Sequence, residues 1–183
     1  MVRLPPLMLF AIDENCFFSG REYIDKVKKD AKWHLGYSQE SILPPDIYTK
    51  KYCIAGNTRL PANYAKGVLD DIRVRTIALD DSRDGGKVVL SCVDCIGISN
   101  KNIREIRKRL SDFSKENNIV SINICSTHTH SSVDTMGIWG PIIEVFRNNK
   151  KVLQTGSGEL MDSCDKEYIE FLFEKIIESI KNA

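Results

Sequence analysis

The sequence predicts an α/β domain built on a mixed sheet, with a βαβ unit inside it and helices flanking it. Three observations carry that class. Two β-rich runs, "IRVRTIALD" (72–80) and "KVVLSCVD" (87–94), are joined by the turn-forming "DSRDGG", the pattern of a hairpin. A helical repeat follows, with Ile103, Ile106, Leu110 and Phe113 on one face. A third β-rich run, "IVSINIC" (119–125), closes the unit. Strand, helix and strand with short links make the last two strands parallel neighbours with a right-handed crossover.

Taken in order, residues 1–53 read as an irregular and helical lead-in, and 54–183 as the α/β part of a single domain. "LFAID" suggests an early strand, and Ile24, Val27 and Ala31 predict a helix over Arg21 to Trp33. His34 then falls at an exposed helix end. Turn formers dominate "LPPD" (43–46) and "AGNTRLPAN" (55–63), so this section reads as a long wrapping loop of the functional kind. Ser99 supplies an N-cap for the central helix, and Asn117 and Asn118 end it. After the third strand come a loop with "GIWGP" (137–141) and a weakly patterned stretch containing Gly156 and Gly158. A helix from about Asp165 closes the chain, burying Ile169, Leu172, Ile176 and Ile180. No internal repeat or low-complexity segment interrupts this order.

Composition narrows the function classes. The chain has 183 residues, 42% hydrophobic and 28% charged, with a formal net charge of +1. A nearly neutral molecule has no overall field to gather nucleic acid, so no nucleic-acid partner is expected. The basic run "REIRKRL" (104–110) reads as a solvated helix face. No stretch reaches the ~20 apolar residues of a membrane span. The amino-terminal apolar run is broken by two prolines and lacks a small-residue cleavage pattern, so a cytoplasmic protein is expected. Six cysteines lie at irregular spacing. Cys92 and Cys95 spell C-x-x-C inside a strand pattern, where positions three apart point to opposite faces. They read as free, unmetallated thiols.

The chemistry concentrates in "CSTHTHSS" (125–132), which holds two of the three histidines. The parallel pairing puts Asp94, His128 and His130 at or just past the carboxyl ends of adjacent strands, where open α/β sheets bind ligands. In extended chain His128 and His130 would project together. Two imidazoles with a carboxylate one strand away fit part of a zinc site, with Asp94 as ligand or as orienting partner. An acid–base pair, or histidines that merely end a strand, fit the spacing as well. A Cys125–His128 nucleophile pair is disfavoured by opposite strand faces. Ser131 and Ser132 lack a partnered base and the G-x-S-x-G context.

Beyond spacing, "INICSTHTHSS" resembles the T-H-T-H-S signature of the neutral/alkaline, non-lysosomal ceramidases and their bacterial relatives. "IAGNTRLPANYAKGVLDDIRVRTIALDD" is similar to that family's run from a glycine-containing loop through a G-V-x-D turn into a strand. "GGKVVLSCVDCIGIS" resembles its next strand, with Asp94 at the family's aspartate. The resemblance runs from about Ile54 to Gly140, and faintly into the last helix. It implies a fold that is part of a larger catalytic domain, and zinc-dependent hydrolysis of the N-acyl amide of ceramide or a related lipid amide. It also implies His128 as the zinc ligand, His130 as the catalytic group assisting at the substrate oxygen or leaving group, and Asp94 as a further catalytic residue.

The departures matter equally. "SVDT" follows the motif where the family has small residues and proline. The family's other ligands, a histidine, a glutamate and a tyrosine, belong to segments without a counterpart here, as does an N-R-S-P-like stretch. The usual D-I-T-P opening is absent too. The expectation is therefore an incomplete half-site, inactive by itself and completed by a further chain segment or by a homo-oligomer. The opposing expectation is a ceramidase-like domain without catalysis that serves as a binding or interaction module.

Overall fold

The computed structural model describes residues 32–57, 62–82, 85–161 and 163–183. Four strands form one sheet in sequence order: β1 (His34–Ser41), β2 (Arg73–Asp80), β3 (Lys87–Val93) and β4 (Ile119–Ser126). The first three are antiparallel neighbours, and β3 and β4 are parallel. Between β3 and β4 lie α1 (Asn100–Arg109) and α2 (Ser111–Glu116), and after β4 come α3 (Ile142–Thr155) and α4 (Lys166–Asn182). The mixed α/β sheet and its βαβ unit are therefore present. The expected helix over 21–33 and the strand at "LFAID" lie almost wholly outside the described residues.

Local chemistry accounts for the ends of these elements. Ser99 Oγ accepts the Asn102 N–H at 3.2 Å, which caps α1. Leu110 breaks the helical run in two, and Asn118, at φ 53°, turns the chain into β4. The Ser82 N–H reaches back to Asp80 Oδ1, an Asx turn that opens the β2–β3 connection.

Three expectations need correction. Residues 34–41, expected to be irregular chain, form β1, and all eight pair with β2; Gly36, Ser38, Gln39 and Glu40 weaken the alternation that would mark a strand. His34 begins that strand rather than ending a helix. The weakly patterned stretch after the histidines is a regular helix, α3, whose residues are half-buried or exposed, so no buried stripe marked it.

The core lies on one face of the sheet. Val74, Val89, Val93 and Ile122 meet Ile106 and Leu110 of the βαβ connection and Leu172, Phe173, Ile176 and Ile180 of α4. Each fully buried side chain of this size contributes on the order of 1.5–3 kcal/mol. A row of hydroxyls runs through this apolar layer. Thr76 Oγ1 and Ser91 Oγ are 2.8 Å apart, Ser179 Oγ reaches Thr76 at 2.8 Å, and Ser38 Oγ lies 2.7 Å from Ser179 Oγ and donates to its carbonyl. Ser38, Thr76 and Ser91 are register partners across β1, β2 and β3. The row ties α4 to the sheet and satisfies each polar group it buries. On the other face Leu35, Tyr37 and Leu90 remain exposed.

A smaller cluster of Tyr52, Val133 and Tyr168 clamps the 42–55 loop to α4. The Tyr168 hydroxyl donates to the Ile42 carbonyl, and that of Tyr52 donates to Asp46 Oδ1 at 2.6 Å. Burial first, and then the Asp46 bond, push Tyr52 up to about 12, so it remains a neutral donor. Among the described residues no helix is long and apolar enough to cross a membrane.

Asp165 begins α4: its Oδ1 accepts the Tyr168 N–H at 3.0 Å and its Oδ2 lies 2.8 Å from Lys50 Nζ. Partial burial acts to raise this carboxyl, but Lys50 and the cap N–H groups outweigh it and hold it below the usual range. Asp165→Ala should cost about 1–2 kcal/mol in urea unfolding, whereas Asp165→Asn keeps the cap and should cost less. The depressed carboxyl stabilises the fold above the unfolded value of about 3.9 and loses that contribution as pH falls through the lower folded value. Stability curves measured from pH 5 to 2 should be flatter for Asp165→Asn than for the unmodified chain.

Candidate functional site

The site grows from the parallel β3–β4 pair. Cys92 pairs with Cys125 and Val93 with Ser126, so both strands leave the sheet at the same edge. The Thr127 N–H donates to the Val93 carbonyl at 3.0 Å and extends the pairing by one step. At His128 the chain turns, with φ 62°. A non-glycine residue in this left-handed region costs roughly 1–2 kcal/mol and is held there by its surroundings. Here His128 Nδ1 lies 2.8 Å from the Ile96 carbonyl. A carbonyl only accepts, so Nδ1 carries a proton, and the tautomer that makes this bond has its lone pair on Nε2.

His128 and His130 stand edge to face, with ring centroids 5.1 Å apart. They come together through this turn, since residues 127–130 are not strand and the alternation of an extended chain does not apply. Behind His130 sits Gly56, at φ 97°. A Cβ there would lie 2.3 Å from His130 Cγ, so the close approach of loop and ring requires glycine. The loop is held in place by the antiparallel bridge between Ile54 and Val133 and by the Ala55 N–H bonding to the Ser132 carbonyl.

Asp94 follows β3 directly. Its Oδ2 accepts the Arg73 N–H at 3.0 Å and Arg75 Nη1 at 2.8 Å. It is thus an ion-paired carboxylate, and Arg75 is pushed further up by the same bond. Asp94 and His130 line one cavity of about 690 Å³, whose other walls include Leu43, Ile47, Ile72 and Val133. The cavity lining therefore mixes apolar and polar side chains. Ser132 also lines it, and its buried Oγ has no hydrogen-bond partner among the described residues.

Several residues that build the site were not singled out from sequence. Asp134 accepts three backbone N–H groups, from Met136, Gly137 and Trp139, and so folds the loop after the motif. Thr135 Oγ1 donates to the Gly97 carbonyl at 2.5 Å. The departure "SVDT" is accordingly an internal brace for the loop. Arg75 offered a faint signal: it shares a β2 face with Arg73 at the strand end nearest Asp94.

Among the described residues Cys92 and Cys95 form no disulfide. Cys95 is buried, with Sγ 3.3 Å from Ser126 Oγ and 3.6 Å from the Gly97 carbonyl, whereas Cys92 stands on the outer sheet face. For zinc, His128 has the tautomer of a ligand, since a ligating imidazole characteristically gives its other N–H to a carbonyl or carboxylate. A catalytic zinc takes three protein ligands. Among the described residues no group of three His, Cys, Asp or Glu is placed to hold a metal ion. The residues present fit part of such a site and do not complete it.

No family model and no curated protein matches the chain in sequence. Solved structures do match it in shape. One is described as "Ceramidase complexed with C2", at a TM-score of 0.61 and 15% identity, covering 84% of this chain. Another, the neutral ceramidase from Pseudomonas aeruginosa, matches at 0.55 and 16%, covering 85%. The chain spans 21% and 22% of those two proteins' lengths, respectively. The fold is therefore that of a part of a larger ceramidase chain, and at this identity the likeness is one of fold alone.

Gly56→Ala should destabilise the chain by about 1–3 kcal/mol in urea unfolding, because the new methyl meets the His130 ring in a left-handed backbone. Gly67→Ala, on the rim of the same cavity with nothing within 4 Å of its Cβ position, serves as the control and should fall within about 0.5 kcal/mol of the parent.

Proposed function

We propose that this chain carries part of the active site of a zinc-dependent amidohydrolase acting on a lipid amide of the ceramide class. The observation that carries this reading is the fixed tautomer of His128, with Nδ1 given to the Ile96 carbonyl and Nε2 left for a metal. The motif's position at the carboxyl edge of a sheet shaped like part of a ceramidase supports it. Zinc, when bound, supplies a water of lowered pKa and polarises the amide carbonyl.

His128 holds the metal in this reading. His130, on the cavity wall beside it, moves the proton at the substrate oxygen or the leaving nitrogen. Asp94, neutralised by Arg75, fixes the end of β3 and so keeps the Ile96 carbonyl under the His128 ring. The apolar wall at Leu43, Ile47 and Ile72 suits hydrocarbon. The remaining ligands come from outside the described residues, from a further chain segment or a second copy. The shortage of ligands here favours a second reading, a ceramidase-like module that binds without catalysis.

Zinc titration followed by calorimetry separates the two. The 183-residue chain should bind zinc weakly, with His128→Ala lowering affinity at least tenfold and His130→Ala by less than that. With a fluorescent N-acyl amide and added zinc, the chain alone should show no turnover above the zinc blank. Equal zinc affinity in the parent and His128→Ala would remove His128 as a ligand and favour the binding module. Zinc-dependent turnover by the chain alone, lost in His128→Ala, would show the site to be complete.

A further inference from the structure

The C-x-x-C spelling pairs the wrong two cysteines. Cys92 and Cys95 diverge, but Cys92 is the register partner of Cys125 across the parallel β3–β4 pair. Both side chains stand on the outer face of the sheet, opposite the buried Ser91. Cys125 is exposed and lies over β3, its Sγ 3.6 Å from the Ser91 carbonyl; Cys92 is half-buried. Paired residues on neighbouring strands lie about 4.8 Å apart, inside the Cα separations of roughly 4.4–6.8 Å that a disulfide spans.

We propose that Cys92 and Cys125 form a cross-strand dithiol that a low-molecular-weight disulfide oxidises to an intramolecular bridge, a modification site separate from the histidine site. Cys125, the exposed member, loses its proton to water and attacks one sulfur of the small disulfide. One small thiol leaves, and Cys125 carries a mixed disulfide. Cys92 then gives up its proton and attacks Cys125 Sγ, forming the Cys92–Cys125 bond and releasing the second small thiol. Two protein thiols are oxidised and one disulfide is reduced to two thiols, so atoms and electrons balance. The register pairing of the two residues makes the second step intramolecular and fast relative to further exchange with solvent. The bridge would join β3 to β4 two residues before Asp94 and three before His128, on the face away from the core. It does not depend on the zinc reading.

The test equilibrates the full chain in buffers of reduced and oxidised glutathione, quenches with acid, alkylates the remaining thiols and maps the peptides by mass spectrometry. Fragment ions assign the linked sulfur, since Cys92 and Cys95 share a tryptic peptide. The expected result is a Cys92–Cys125 link that dithiothreitol reverses. Cys92→Ser should leave Cys125 as a persistent glutathione adduct, and Cys125→Ser should reduce oxidation of Cys92 at least tenfold. Cys95→Ala should link as the parent does, and fragment-ion assignment in the parent decides the point should that variant not fold. Two alkylatable thiols at the most oxidising buffer, a parent chain that stops at the adduct, or a link from Cys92 to Cys95 would each overturn the proposal.

Discussion

The structure depends on the parallel register of β3 and β4. Once Val93 lies beside Ser126, the two chains must leave the sheet at the same edge, and the residues that follow them must share one small volume. The Thr127 N–H bond to the Val93 carbonyl extends the pairing just far enough to bring His128 over the Ile96 carbonyl. A hairpin in place of the crossover would have sent the histidines to the opposite edge from Asp94. Parallel pairing needs a covering crossover, which is why Ile106 and Leu110 of the α1 region are among the most buried residues. The helix that makes the connection also makes the core.

Packing then decides how firmly that edge is held. The hydroxyl row from Ser38 through Thr76 to Ser91, closed by Ser179, leaves little freedom for α4 to slide, because a shift would unpair buried polar groups. From α4, the Tyr168–Tyr52–Val133 cluster reaches the loops that frame the histidines. Val133 is two residues from Ser131 and bridges Ile54, two residues from Gly56. Rigidity passes from the core to the His130 ring through contacts that can be named one by one. Exposed histidines can thus keep a defined mutual geometry.

Much of this was legible in the sequence, and the parts that were not have physical causes. The hairpin, the crossover and α4 carry strong periodicity, and the parallel pairing they imply brings Asp94 and the histidine motif to one edge. β1 was hidden because only Ser38 of its eight residues is buried, and what marks it as a strand is its pairing with β2, a long-range property. α3 was hidden because it has no buried residue to set a stripe. The placement of Asp94 and the histidine motif at one sheet edge was legible, and the geometry within that edge only partly so. That His128 and His130 would meet could be argued, but the extended chain invoked for it is absent. The actual cause, a left-handed turn fixed by a carbonyl from another segment, leaves no local trace. The same holds for Arg75 on Asp94 and for Gly56 behind His130, since both are partners chosen by the fold across 19 and 74 residues of chain.

The left-handed turn also explains why the motif and its brace belong together. Holding His128 at positive φ is unfavourable by roughly 1–2 kcal/mol, and one neutral hydrogen bond returns about 1 kcal/mol. The Ile96 bond alone therefore does not secure the turn. The rest comes from the segment that follows, where Asp134 gathers three N–H groups and Thr135 ties the chain to the Gly97 carbonyl, next in sequence to Ile96. Thr135 and His128 thus grip consecutive carbonyls of one loop from two sides. A carboxylate and a hydroxyl in the segment after the histidines thus hold the turn that the Ile96 bond does not secure alone.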